Sequence, residues 1–180
     1  MKATGIVRRI DDLGRVVIPK EIRRTMRIRE GDPLEIYTDK DGEVIFKKYS
    51  PVGELSAFAT QICDTLNKTT GHTAVICDRD MVIAVSGSSR RELMDKRISE
   101  ELERIIEGRQ IYQCKAGENK LHVSDGVERQ FVSIAAPIIS EGDVSGCVVF
   151  VCAEGDAPMG DTEYKLAQTV AGFLGKQMEN

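Results

Sequence analysis

The chain has 180 residues, 41% hydrophobic and 30% charged, which excludes a disordered or fibrous protein and allows one medium domain or two small ones. Its longest apolar run, residues 147–153, is far short of the ~20 residues that a membrane-spanning helix needs. The formal net charge of −4 speaks against nucleic acid only until it is divided: residues 1–50 hold 12 basic against 9 acidic residues, and residues 51–180 hold 13 against 20.

In chain order, residues 6–10 read as a strand, Asp12-Leu13-Gly14 as a turn and residues 16–18 as a second short strand. Pro19 then opens a helix on which Ile22 and Met26 form a narrow apolar stripe, with Arg23, Arg24 and Arg27 pointing elsewhere. Gly31-Asp32-Pro33 breaks the chain, and residues 34–38 and 43–47 pair across an Asp41-Gly42 hairpin turn. Ser50 as N-cap and Pro51 at the first helical position mark a domain boundary, giving a head of residues 1–50 and a body of residues 51–180. The body's first helix carries Leu55, Phe58, Ile62 and Leu66 and stops before Gly71. Strands follow at 73–78 and 81–86, joined by a tight turn at Asp78-Arg79-Asp80. Ser89 and Glu92 make a capping box for one helix reaching Gly108. Strands at 121–124, 131–139 and 145–153 come next, the last two joined by a Gly142-Asp143 turn. Asp161 caps a final helix with Leu166, Val170, Leu174 and Met178 at four-residue spacing. The body is therefore α+β, with a mostly antiparallel sheet and flanking helices.

Few chemistries fit the remaining residues. Five cysteines (63, 77, 114, 147 and 152) include no CxxC pair, and only two histidines accompany them, so no zinc site is expected. Reduced thiols and a charged N-terminus without a signal-peptide core point to the cytoplasm. No cofactor is implied. With no Trp and 5% aromatics, stacking platforms for single-stranded nucleic acid are not expected either. Ser86-Gly87-Ser88-Ser89 before a helix could hold an anion, although a capped helix start is the commoner explanation. A thiol-dependent enzyme is the competing class; Cys147 and Cys152, five apart on one strand, should face opposite sides of the sheet.

A fifty-residue head of short strands buries too little surface to stand alone, and it has no Cys or His to staple it. It is expected to be an obligate dimer whose shared core comes from Ile6, Val16, Ile18, Ile22, Leu34, Ile36, Val44 and Phe46. Twofold symmetry would then match palindromic duplex DNA.

The stretch from Arg8 to Arg23, RRIDDLGRVVIPKEIR, follows the pattern R-x-[ILV]-D-x-x-G-R-[VI]-V-[IL]-P-x-x-[IL]-R. It resembles the AbrB-type swapped-hairpin domain of bacterial transition-state regulators, over about the first 50 residues. That resemblance implies an all-β interleaved dimeric barrel with one short helix, in which hairpins from two chains make one barrel. The body is similar in architecture to a GAF-like domain, a fold used for small-molecule sensing or for dimerisation. Together they imply a DNA-binding transcription regulator of sporulation genes, acting as activator and repressor.

In the AbrB family the DNA-contacting arginines match Arg8, Arg15, Arg23 and Arg24 here. Guanidinium groups suit this role, since they bind phosphate bidentately and can read guanine O6 and N7. Lys2, Arg9, Lys20 and Arg27 are secondary candidates. The competing reading is a solvated charged face with Arg–Asp pairs to Asp11 or Asp12. The helices that flank the body, near each end of its sequence, could pair between subunits and join head dimers into a tetramer. An effector for the body is unidentified. An antitoxin-type DNA-binding autoregulator would share the head, but such proteins usually end in a disordered tail.

Overall fold

The computed structural model describes residues 4–179, which divide between Tyr49 and Ser50 into two compact units. In the first unit, helix α1 (Lys20–Met26) is followed by strands β1 (Leu34–Thr38) and β2 (Val44–Lys48). β1 and β2 pair antiparallel with Ile36 opposite Phe46, so the second strand begins and ends one residue later than its composition suggests. Their connection runs from Asp39 to Glu43, and the Asp39 carboxylate accepts the backbone N–H groups of Asp41 and Glu43, both at 3.0 Å.

Residues 6–10 and 16–18, expected as strands, are unpaired in the single chain. The cause is topological. A strand needs a neighbour for its N–H and C=O groups, and the β1–β2 hairpin of this unit is already closed on itself. The side chains are equally without cover, Val7 being 86% and Val17 70% exposed. Of the eight residues expected in the head core, Ile18, Ile22 and Leu34 are half-buried and the other five exposed.

Besides Pro19, the first unit buries a polar group. The Asp32 carboxylate, its side chain only 3% exposed, lies 3.6 Å from Lys48 Nζ and accepts the Arg29 N–H at 2.8 Å. Lys48 Nζ also donates to the carbonyl of Arg27 at 2.9 Å, tying the end of α1 to β2.

The second unit is a five-stranded antiparallel sheet in the order β4-β3-β7-β6-β5. Its strands are β3 (Thr73–Asp78), β4 (Val82–Ser86), β5 (Tyr112–Gln113), β6 (Gln130–Ser140) and β7 (Asp143–Ala153). Helices α3 (Ser56–Thr70) and α6 (Asp161–Gln177) cover one face; α5 (Glu100–Gly108) covers the other. Alternate residues supply the two cores. Ile76, Val148 and Phe150 point to the α3/α6 layer, whereas Val75, Val149 and Val151 point to the α5 layer with Leu102 and Ile106. Burial on both sides explains why β7 reads as an unbroken apolar run.

Several boundaries differ from their sequence-based placement, each for a local reason. The first body helix is two: α2 (Pro51–Glu54), capped by Ser50 Oγ on Gly53 N at 3.0 Å, and α3 after a tight turn at Leu55. Between them the Leu55 N–H bonds to Val52 three residues back, with Val52 fully buried. The Ser89–Gly108 helix is also two, α4 (Arg90–Leu93) and α5, because residues 96–98 instead line the β4 edge. There Val82 N–H meets Lys96 O at 2.8 Å and Ile98 N–H meets Asp80 O at 3.0 Å. The working cap is Ser99, whose Oγ accepts the Leu102 N–H at 3.1 Å, and not Ser89.

Residues 121–124 form only a bridge from His122 to Phe131, and the two-residue β5 carries no periodicity to betray it. The β6–β7 turn is Glu141-Gly142, both at positive φ as a type I′ turn requires, one residue before the expected pair. Gly160 rather than Asp161 is the N-cap of α6, its N–H held by the Glu163 carboxylate at 3.1 Å.

The apolar stripe of α6 is also rotated from the expected one. Ala167, Ala171, Leu174 and Gly175 are buried, while Leu166, Val170 and Met178 are half-buried. Small residues let α6 sit close to β6: a Cβ at Gly175 would fall well inside van der Waals contact of the Ile139 carbonyl. Gly175→Ala is therefore expected to destabilise the second unit by about 3 kcal/mol through overpacking, measurable as a lowered thermal midpoint. Ser99→Ala should cost about 1 kcal/mol by removing the α5 cap.

Candidate nucleic-acid interface

The basic residues of the first unit lie on three short pieces of chain. Arg8 and Arg9 are exposed on the extended segment before the turn. Arg15 follows a turn in which Gly14 N–H bonds to Asp11 O and Asp11 N–H bonds to Arg15 O, both at 3.0 Å. Gly14 takes φ 75°, a conformation that side-chain-bearing residues avoid, so the turn tolerates little else there. Helix α1 supplies the rest. Lys20, Arg23 and Arg24 stand at i, i+3 and i+4, which places them on one side of the helix. Lys2 lies outside the described residues.

Arg27 closes α1 in the left-handed conformation at φ 50°, its N–H bonding to the carbonyls of Arg23 and Arg24. Ile28 N–H bonds to Arg23 O at 2.8 Å, completing a Schellman-type end. Glycine is the usual residue at this position. The arginine is half-buried and engaged by other groups of the protein, so it differs from the exposed set. Lys20, Arg23 and Arg24 are exposed, as are Arg8 and Arg9; Arg15 has 68% of its side chain accessible.

One acid enters this set. Arg15 Nε lies 2.8 Å from Asp11 Oδ2, one of the Arg–Asp pairs that the competing reading calls for. Arg15 N–H and then the guanidinium hold the Asp11 carboxyl below the usual carboxylate range. The pair leaves the terminal nitrogens of Arg15 without a hydrogen bond among the described residues. The arrangement offers exposed guanidinium groups on short, unpaired segments, suited to an extended anionic polymer.

The second unit offers less reactive chemistry. All five cysteines are free and buried. Burial pushes the Cys63 thiol up to about 12 and raises Cys147 and Cys152 as well, keeping these sulfurs in the weakly nucleophilic thiol form at neutral pH. Cys147 and Cys152 do face opposite layers of the sheet. Ser86-Gly87-Ser88-Ser89 forms no anion cradle. The helix it precedes is a single turn, and Ser89 Oγ is buried without a hydrogen-bond partner among the described residues. Among those residues no group of three or more His, Cys, Asp or Glu could hold a metal ion. No described helix is long and apolar enough to cross a membrane.

The sequence stripes include Phe58 on the first body helix but not Phe173 on the last. Phe58 on α3 and Phe173 on α6 meet with their rings tilted and centroids 5.9 Å apart, with Phe173 47% exposed. Phe173 falls outside the four-residue stripe of α6, and only the close packing of Ala167 and Ala171 turns it outward.

Comparison with known proteins covers both units. A family model described as stage V sporulation protein T C-terminal, transcription factor, matches residues 54–179. One described as antidote-toxin recognition MazE, bacterial antitoxin, matches residues 7–53. Stage V sporulation protein T of Bacillus subtilis (strain 168) is 53% identical over 180 residues, 99% of each chain. Transition state regulatory protein AbrB of the same organism is 65% identical over 51 residues, 28% of this chain and 52% of its own. Among solved structures, the PixJ GAF domain of Thermosynechococcus elongatus in its blue-light-absorbing form has a TM-score of 0.56 at 13% identity. That match covers 72% of this chain and 87% of the other, and it shows a GAF fold.

The left-handed Arg27 gives a direct test of its role. Arg27→Gly removes the conformational cost of a side chain at positive φ, about 1 kcal/mol. If that residue serves DNA rather than the helix end, the variant will be as stable as the parent or more so in thermal unfolding, yet bind duplex DNA more weakly.

Proposed function

The chain belongs to the stage V sporulation protein T family, and from that premise we propose that it is a DNA-binding transcription regulator of sporulation genes. It binds duplex DNA through Arg8, Arg15, Arg23 and Arg24, doubled by a twofold axis, and acts as activator and repressor according to the promoter. Lys2, Arg9, Lys20 and Arg27 extend the contact. The observation that carries this reading is the exposed arginine set on a unit that leaves its own apolar residues uncovered. The 65% identity to a transition-state regulator over the same residues supports it.

The uncovered apolar side chains support an obligate dimer of the head. A second copy can pair residues 6–10 and 16–18 and bury Ile6, Val16, Ile36, Val44 and Phe46, a gain of ~25 cal/mol for each Å² of apolar surface removed from water. Domain limits of 1–50 and 51–180 rest on the Ser50 cap, and the division into two compact units between Tyr49 and Ser50 supports them. The regulator is non-catalytic and cytoplasmic, and its GAF-like body serves as an oligomerisation module and as a receptor for an effector of unknown chemistry. An antitoxin role is the weaker alternative. The family model for antitoxins reaches only residue 53, and a folded domain stands where a toxin-binding tail would be.

Phe58, Ile62, Leu166 and Val170 are half-buried at the rim of the α3/α6 core, and Phe173 is 47% exposed beside Phe58; this partly uncovered strip supports pairing of two bodies as a helix bundle, so that head dimers join as a tetramer. In sedimentation of the full chain, Phe173→Glu is expected to halve the mass from tetramer to dimer. A parent chain that sediments as a dimer removes the tetramer. For DNA, eight arginine–phosphate contacts per head dimer predict a log–log salt slope near −7, at ~0.9 per phosphate. Arg15→Ala should make it shallower by about 2, because each head dimer loses two contacts. An unchanged slope and affinity would remove Arg15 from the contact set.

A further inference from the structure

Asp11 stands where an acid is least expected, between arginines on a surface proposed to meet phosphates. Its carboxylate makes three bonds to its own turn. Oδ1 accepts the N–H of Leu13 at 3.0 Å and the N–H of Arg15 at 2.8 Å; Oδ2 accepts Arg15 Nε at 2.8 Å. The backbone of the same residue closes the turn through Gly14 and Arg15. One side chain therefore fixes both the backbone of Arg15 and the direction of its guanidinium.

The ion pair within this arrangement is not a stability device. An exposed ion pair contributes little to folding, since water and salt screen it, and the Arg15 side chain is two-thirds accessible. Its geometric effect is larger. Only Nε is engaged, and the two terminal nitrogens, which form the fork that matches a phosphate or the O6/N7 edge of guanine, make no hydrogen bond among the described residues. A free arginine samples many rotamers before it finds that pose; a tethered one is already there.

We infer that Asp11 is a positioning residue for DNA recognition, holding Arg15 by Nε so that its terminal nitrogens form a preset fork for a base edge or phosphate. The inference rests on the reading of Arg15 as a DNA contact. It has a signature opposite in sign to plain electrostatics. Removing an acid should strengthen general attraction to DNA, because the protein then repels phosphate less. Loss of a preset fork should instead weaken only the selected sequence. Asp11 thus trades general affinity for discrimination.

The test is a double-mutant cycle on the full-length chain, with two duplex probes: one enriched by the parent chain from a randomised pool, the other of shuffled sequence. Asp11→Asn keeps an oxygen for the turn but replaces Oδ2 with a donor that cannot accept Nε. It is expected to weaken the selected duplex about 5-fold or more, within the range of a bidentate contact. The shuffled duplex should bind as tightly as before or more tightly. Introduced into Arg15→Ala, Asp11→Asn should add less than about 2-fold, the limit for coupled residues acting through one contact. Asp11→Ser, which also keeps an oxygen for the turn, carries the same expectations if the asparagine variant does not fold. Equal losses on both duplexes, or the same loss in both backgrounds, would overturn the positioning role and make Asp11 a structural turn residue. If Arg15→Ala binds the selected duplex normally, the reading of Arg15 as a contact falls, and this inference with it.

Discussion

The first unit cannot bury its own apolar side chains, and the rest of its design depends on that constraint. Val7, Ile10, Leu13 and Val17 are each more than two-thirds exposed. A monomer would carry this surface in water at a cost that a unit of fifty residues cannot offset from within. Polar contacts among Arg27, Asp32 and Lys48 tie α1 to its hairpin within one chain. Completion by a second copy, as proposed, would supply both the missing strand partners and the missing core. It would also generate a twofold array of arginines, so that folding and recognition become one event.

The second unit solves the opposite problem. Its central strands β3, β7 and β6 are covered on both faces and bury almost everything they carry. The small residues of α6 that pack on β6 draw the helix close and roll Phe173 outward against Phe58. A tight inner contact and a hydrophobic outer one are thus consequences of a single helix rotation. Deep burial also disposes of the thiols: Cys63 and Cys147 have no water to stabilise a thiolate.

Charge divides the same way as structure. On the proposed reading, the acidic body repels DNA and leaves the arginines of the head as the surface for a duplex. Within that head Asp11 works against the local attraction, and its bonds to Arg15 show what the repulsion accompanies. Sequence reading placed Arg15 after a turn glycine and raised Asp11 or Asp12 as a partner in a solvated charged face. The geometry shows a partner that holds one edge of the guanidinium and leaves the other open.

What the sequence determined by itself was local. Hydrophobic period, Gly14, Pro19, the Ser50 cap and the charge step at the same point identify two units and their chemistry, because each is a property of a few neighbouring residues. Where a competing contact came from far along the chain, local signals failed. Ser89 and Glu92 look like a helix start, but the edge of β4 captures residues 96–98 and moves the effective cap to Ser99. The stripe of α6 points to Leu166 and Val170, but the approach of Gly175 to Ile139 turns the helix onto its alanines. Only tertiary structure could decide these, since packing distance and strand pairing depend on residues that the local pattern does not contain.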